Sequence, residues 1–188
     1  MSFKVTISLF LSIFFLFGCG ITKDEAKEED DVTQSKIEHL VISKVSYDAI
    51  GSDAKYEWCE IYNPLTVTVN VHNWSLQTSK EGKKWDFNEI SIASKQYLTI
   101  AKNGAGFSEL FAREPDLVIA GLSLGNSGDY LSLLDDTGQE VDFVAWEEGA
   151  VGWELKATAG ETLYRKDFIK DSDTQDDWLI GSEVTPGN

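Results

Sequence analysis

From Leu40 to the C-terminus, apolar residues recur at every second position in short runs, and turn-forming residues separate the runs. Successive side chains of a strand point to opposite faces, so such alternation marks segments with one buried face and one wet face. In "VTVNV", Val67, Val69 and Val71 alternate with Thr68 and Asn70. "LVISKVSYDA" places Leu40 and Ile42 on one face and then slips phase to Val45 and Tyr47, which predicts a β-bulge near Ser43-Lys44. "YEWCEIYNP" is a short strand stopped by Asn63-Pro64, and His72-Asn73 turns the chain into "WSLQT". "WDFNEISI" and "QYLTIA" follow. "DYLSLLDDTGQEVDFVAW" reads as a hairpin turning at Asp135-Asp136-Thr137-Gly138, where the glycine accepts a positive φ. "ETLYRK" and "DDWLIGS" close the chain. No run of ten or more residues in this part carries a helical period. About nine strands, spaced by roughly 8–12 residues, predict an all-β, two-sheet sandwich.

Charge and cysteine content narrow the function classes. The formal net charge is −16, and removing residues 1–18 deletes only Lys4, leaving 15 basic against 32 acidic side chains, or −17. A surface this acidic repels phosphate backbones, so nucleic acid is not an expected partner. Two cysteines are too few for a disulfide scaffold, and His39 and His72 have no zinc-like spacing to them.

The first residues have a different logic. Lys4 precedes an apolar run from Val5 to Phe17, which has the length of a signal-peptide core and falls short of the ~20 residues that span a bilayer. The run ends in Leu16-Phe17-Gly18-Cys19, which resembles the bacterial lipobox. That resemblance implies cleavage before Cys19, a diacylglycerol on its thiol and an acyl chain such as palmitate on the new amine. Two or three acyl chains give stable anchoring where one does not. Gly20 in place of Asp implies sorting away from the inner membrane, hence an outer-membrane location facing either the periplasm or the cell surface. The acidic, aperiodic stretch that follows cannot offset its ordering entropy and reads as a spacer. The expected division is therefore signal peptide 1–18, lipidated Cys19 with an acidic tether through 38, and a sandwich domain at 39–188.

Three segments of that domain look familiar together. "EWCEIYNPLTVTVNVHNWSL", "GNSGDYLSLLDDTGQEVDFVAW" and "GETLYRKDFIKDSDTQDDW" with the closing "TPGN" resemble, in order, motifs of the lamin-tail domain. The resemblance covers roughly Leu40 to Asn188 and implies an immunoglobulin-like sandwich used as an interaction module. It brings no catalytic residues with it.

Individual residues then invite separate readings. Cys59 alternates with Ile61 and reads as a buried core thiol, and His72 as a solvated turn residue. No metal is expected; in the acidic run from Asp167 to Asp177, Asp171, Asp173 and Asp176 are weak candidate calcium ligands, since Asp171-Ser172-Asp173 starts like an EF-hand. The sixth position lacks Gly, however, and Ser182 stands where a closing Glu is needed. Trp153, in the Gly-rich "EEGAVGWELKATAGE", is the best candidate for an exposed ligand-binding side chain. The alternative is that it folds back to cap the sandwich. The expected function is a non-enzymatic, lipid-anchored binding module without cofactor beyond its acyl anchor. Its partner would be a protein, an envelope polymer or a second copy meeting a strand edge. The competing expectation is a calcium-dependent carbohydrate-binding protein or an envelope hydrolase using surface carboxylates.

Overall fold

The computed structural model describes residues 35–79 and 82–187. The chain divides into two units, Met1–Val32 and Thr33–Asn188, and the described residues belong to the second. The expected signal peptide and the expected lipidation site Cys19 lie outside the described residues.

In chain order the elements are β1 (Ser35–Lys36), β2 (Val41–Ser46), α1 (Asp53–Tyr56), β3 (Trp58–Tyr62), β4 (Val69–Asn70), β5 (Ser75–Thr78), β6 (Lys84–Asp86), β7 (Ser91–Ile92) and β8 (Tyr97–Ala101). They continue with α2 (Gly104–Phe111), β9 (Leu117–Val118), β10 (Asp129–Leu134), β11 (Glu140–Trp146), β12 (Thr162–Arg165), β13 (Lys170–Asp171) and β14 (Trp178–Gly181). A six-stranded sheet has the order β14-β12-β2-β3-β8-β9, and a four-stranded sheet the order β11-β10-β5-β6. Two short ladders, β1-β13 and β4-β7, complete the set. All pairings are antiparallel except β8-β9.

The core lies between the two large sheets. Val45, Cys59, Ile61, Ile100 and Leu163 from one sheet meet Leu76, Leu131, Leu133, Val144 and Trp146 from the other, all fully buried. The phase slip in β2 is a real bulge: Ile42 pairs with Ile61 and Lys44 with Glu60, leaving Ser43 as the extra residue. That insertion lets Ile42 and Val45, three apart, share the inner face. The β10-β11 hairpin turns where the sequence predicts, with Gly138 at φ 82° and Asp135 Oδ1 accepting the N–H groups of Thr137 and Gln139.

The fold begins before the expected end of the tether at residue 38. Ser35 and Lys36 pair with Asp171 and Lys170, and buried Ile37 donates its N–H to the Ile169 carbonyl. At eight residues, α2 is shorter than the span over which helical periodicity becomes legible.

A buried ionic cluster joins the sheets. Arg165 of β12 reaches across to Asp142 of β11 (Nη2 to Oδ1, 2.5 Å) and to Asp171 (3.2 Å), with both the Arg165 and Asp142 side chains about 1% exposed. Its Nε donates to the Ile42 carbonyl at 2.9 Å, and Asp142 Oδ2 accepts the Ile42 N–H at 2.5 Å. The guanidinium also stacks 5.0 Å from the Trp178 ring. Burial pushes the Asp142 carboxyl up to about 6 despite the cation beside it.

Candidate functional site

The outer face of the six-stranded sheet carries a second apolar cluster. Along β3, Cys59 and Ile61 face the core, so Trp58, Glu60 and Tyr62 face outward. Trp58 packs with Ala101 of β8 and with Phe107 and Phe111 of α2, ring to ring at 6.0 and 5.3 Å. Asn103 caps α2 by accepting the Gly106 N–H at 2.8 Å. Gly106 itself permits the docking of α2 on α1, since a Cβ there would lie 2.0 Å from the Lys55 carbonyl oxygen. The two helices are then clamped by Glu109, which pairs with Lys55 at 2.5 Å and accepts the Tyr56 hydroxyl at 2.8 Å.

Two further segments border this cluster. After β14 the chain runs back over the sheet, burying Pro186 and donating the Gly187 N–H to Glu60 Oε2. Glu60 is fully buried and also accepts Ser43 Oγ (2.7 Å) and Lys44 Nζ (2.6 Å), so the bulge residue helps hold the C-terminal segment. On the other side, Gly160 lies at φ 89° and donates its N–H to the Asp48 carbonyl at 2.7 Å. A Cβ on Gly160 would lie 2.3 Å from Ile50 Cγ1, so glycine lets the Ile50 loop lean inward.

What remains open between these segments is a groove of about 200 Å³. Trp58, Ser46 and Thr162 floor it, and Ile50, Leu110, Phe111 and Val184 wall it. Ile50 is 71% and Leu110 49% exposed, so apolar side chains stand at its rim in water. Nearby, Glu57 is buried and bonded to Lys102 at 2.8 Å, and burial pushes its carboxyl up to about 7.

The residues singled out in the sequence lie elsewhere. Trp153 is not the exposed side chain expected of a ligand contact. It is 6% exposed, edge-on to Phe143 at 5.6 Å, and its backbone closes a tight loop through Glu148 and Ala150. The cause is β11, apolar on both faces: its Phe143 side needs a cover, and Trp153 supplies it. The loop presents Val151 to solvent instead. Asp171 is buried against Arg165, whereas Asp173 and Asp176 are exposed, so the three do not converge. Among the described residues no group of three or more His, Cys, Asp or Glu side chains is placed to hold a metal ion. Cys59 is fully buried, and burial raises its thiol pKa strongly. His72 is exposed at its turn. A wider, open concavity is lined by Ser127, Glu147, Glu148, Glu154 and Lys156. There Glu147 is engaged by the Tyr47 hydroxyl (3.1 Å) and Lys156 (3.6 Å).

The groove has no single sequence signature. Its walls come from positions 46 to 184, and the one legible hint is the apolar pair Ala49-Ile50, set between Asp48 and Gly51.

No curated protein matches the chain. The sequence profile of the lamin tail domain matches residues 33–148, more than half of the chain, and ends before β12 and β14, which complete the six-stranded sheet. On that match, together with the two-sheet fold, the chain belongs to the lamin tail domain family.

Proposed function

We propose that this protein is a lipid-anchored interaction module of the bacterial cell envelope that works by binding a partner rather than by catalysis. Cys19 carries the acyl anchor at the outer membrane, the acidic tether spaces the domain from the lipid, and the domain presents its outer-sheet groove. The observation that carries the reading is the groove itself: Ile50 and Leu110 hold apolar surface in water at the rim of one concavity, and apolar surface gathered at a groove marks contact sites. Family membership supports it, because lamin tail domains are interaction modules of immunoglobulin-like fold. A protein partner fits a groove of this size better than an extended polymer chain.

The test has two parts in living bacteria. Cys19→Ala is expected to shift the protein from the membrane fraction or leave it unprocessed, with loss of incorporated labelled palmitate; unchanged fractionation and labelling refute the anchor. A photo-crosslinking side chain at position 110 is expected to yield a discrete adduct that the same group at exposed Val67 does not. Equal patterns at both positions refute the groove as the contact.

A further inference from the structure

The size and charge of the groove specify what it holds. Its volume of about 200 Å³ is below the roughly 300–1,000 Å³ of pockets that enclose a drug-sized molecule. It admits a single large side chain. Aliphatic and aromatic side chains line it together with the hydroxyl-bearing Ser46, Tyr56, Thr162 and Ser182. The floor, Trp58, is only 2% exposed, so it offers no free ring face on which a sugar could stack.

Charge surrounds this apolar hollow asymmetrically. Glu109 precedes Leu110, Glu161 stands between lining residues Gly160 and Thr162, and Glu183 between Ser182 and Val184. Asp53 on α1 accepts the N–H of the lining residue Ala49 at 3.2 Å. Of the nearby cations, Lys55 is paired with Glu109, and Arg113, set against the Phe107 ring, donates to Thr99 Oγ1. Bonds from Lys55 and Tyr56 hold the Glu109 carboxyl below its usual range, and bonds from the Thr158 backbone and hydroxyl do the same for Glu161, so both are ionised at neutral pH. The whole chain adds a net charge of −16 behind them. Such a rim repels phosphates and anionic lipid and attracts cationic partners.

We infer that the groove receives one large apolar side chain, of the Leu, Met or Phe type, from a segment of a partner protein whose flanking residues are Lys or Arg. This rests on the interaction-module reading and names the chemistry of its partner. The apolar anchor supplies the affinity and the basic flanks supply orientation and encounter rate, a division common to hot-spot interfaces. The contact is small, so the pairing is weak and transient, and anchoring both partners at one membrane raises their effective concentration.

The experiment uses the full chain in nonionic detergent, with empty micelles as blank, against an array of blocked hexapeptides. One series is Lys-Lys-X-Ser-Lys-Lys and the other Glu-Glu-X-Ser-Glu-Glu, with X varied over all residues. The expected result is binding confined to the Lys series and to large apolar X, weakened about tenfold or more when X is Ala. Raising salt from 50 to 300 mM is expected to weaken it several-fold. Leu110→Asp removes binding, and Glu183→Lys, which leaves the cavity intact, weakens the Lys series selectively. Both positions are exposed, so both variants fold, and an unchanged melting curve verifies it. Equal binding of the two series, indifference to X, or no binding by either series overturns the inference. Concentration-dependent self-association abolished by Leu110→Asp also overturns it, assigning the groove to a second copy. In each of these cases the crosslink at position 110 still decides whether the groove is a contact at all.

Discussion

Replacing Arg165 with Leu should make the protein's stability depend on pH in a way the native protein's does not. In the native structure Asp142 is sealed between the sheets, and its charge is compensated by Arg165 at 2.5 Å and by the Ile42 N–H at 2.5 Å. Its folded pKa of about 6 lies above the ordinary 3.8, so its contribution falls as pH rises from about 4 to 6 and then levels off once the ion pair has formed. Without the guanidinium, the carboxyl must either stay charged without its partner or fold protonated. Breaking a buried pair in the first way costs about 3–5 kcal/mol. Folding protonated costs about 1.4 kcal/mol for each pH unit above the unfolded pKa. The variant therefore continues to lose stability above pH 6 where the native protein has stopped. The gap between them should widen by about 2–3 kcal/mol between pH 6 and pH 8. The assay is urea unfolding of residues 33–188 followed by tryptophan fluorescence at both pH values, with the native domain alongside. Asp142→Leu combined with Arg165→Leu should recover much of the loss and flatten the pH response, leaving Asp171 to limit the recovery. A gap of the same size at both pH values would refute the reasoning, since it would mean that Asp142 finds water or another donor when Arg165 is gone.

Three other outcomes follow from the geometry around the groove and the core. Glu57→Gln removes a second buried carboxyl whose folded pKa, about 7, lies above its ordinary 4.5; the native protein should lose on the order of 1–3 kcal/mol between pH 5 and 8 that this variant keeps, read as the difference in urea midpoints, and identical pH slopes would count against it. Gly106→Ala drives a methyl group toward the Lys55 carbonyl, so it should displace α2 and cost about 1–3 kcal/mol; an unchanged melting temperature would show that the helices separate freely. Cys59 should react with a thiol reagent only when the protein is denatured, and rapid labelling of the native domain would contradict its burial between Val45 and Ile100.

Much of the fold was legible because it is written locally. The slip from Ile42 to Val45 needs only the pleat of a strand to be read as a bulge, and Asp135 to Gly138 announces its turn through four adjacent residues. Cys59 could be placed inside by its parity with Ile61. The candidate site was not legible in this way. Trp153 was ambiguous because a Gly-rich loop can present or tuck its aromatic, and the choice depended on whether the Phe143 face of β11 needed a cover. The place of Asp171 was illegible for a related reason: its carboxylate pairs with Arg165, brought beside it by the pairing of β12 with its neighbours.

The sequence alone determined the class of fold, the number of faces that had to be buried and the positions of the turns, since periodicity and backbone restriction act over a few residues. It also determined the strong net acidity of the chain. Only the tertiary structure decided which outward faces were left uncovered. Ile50 meets Gly160, Trp58 meets Phe107 and Phe111, and Glu60 captures Gly187, contacts that span about 50 to 130 positions of chain. Each depends on the sheets being assembled first, because the free energy of burying a side chain is set by what the rest of the fold places against it.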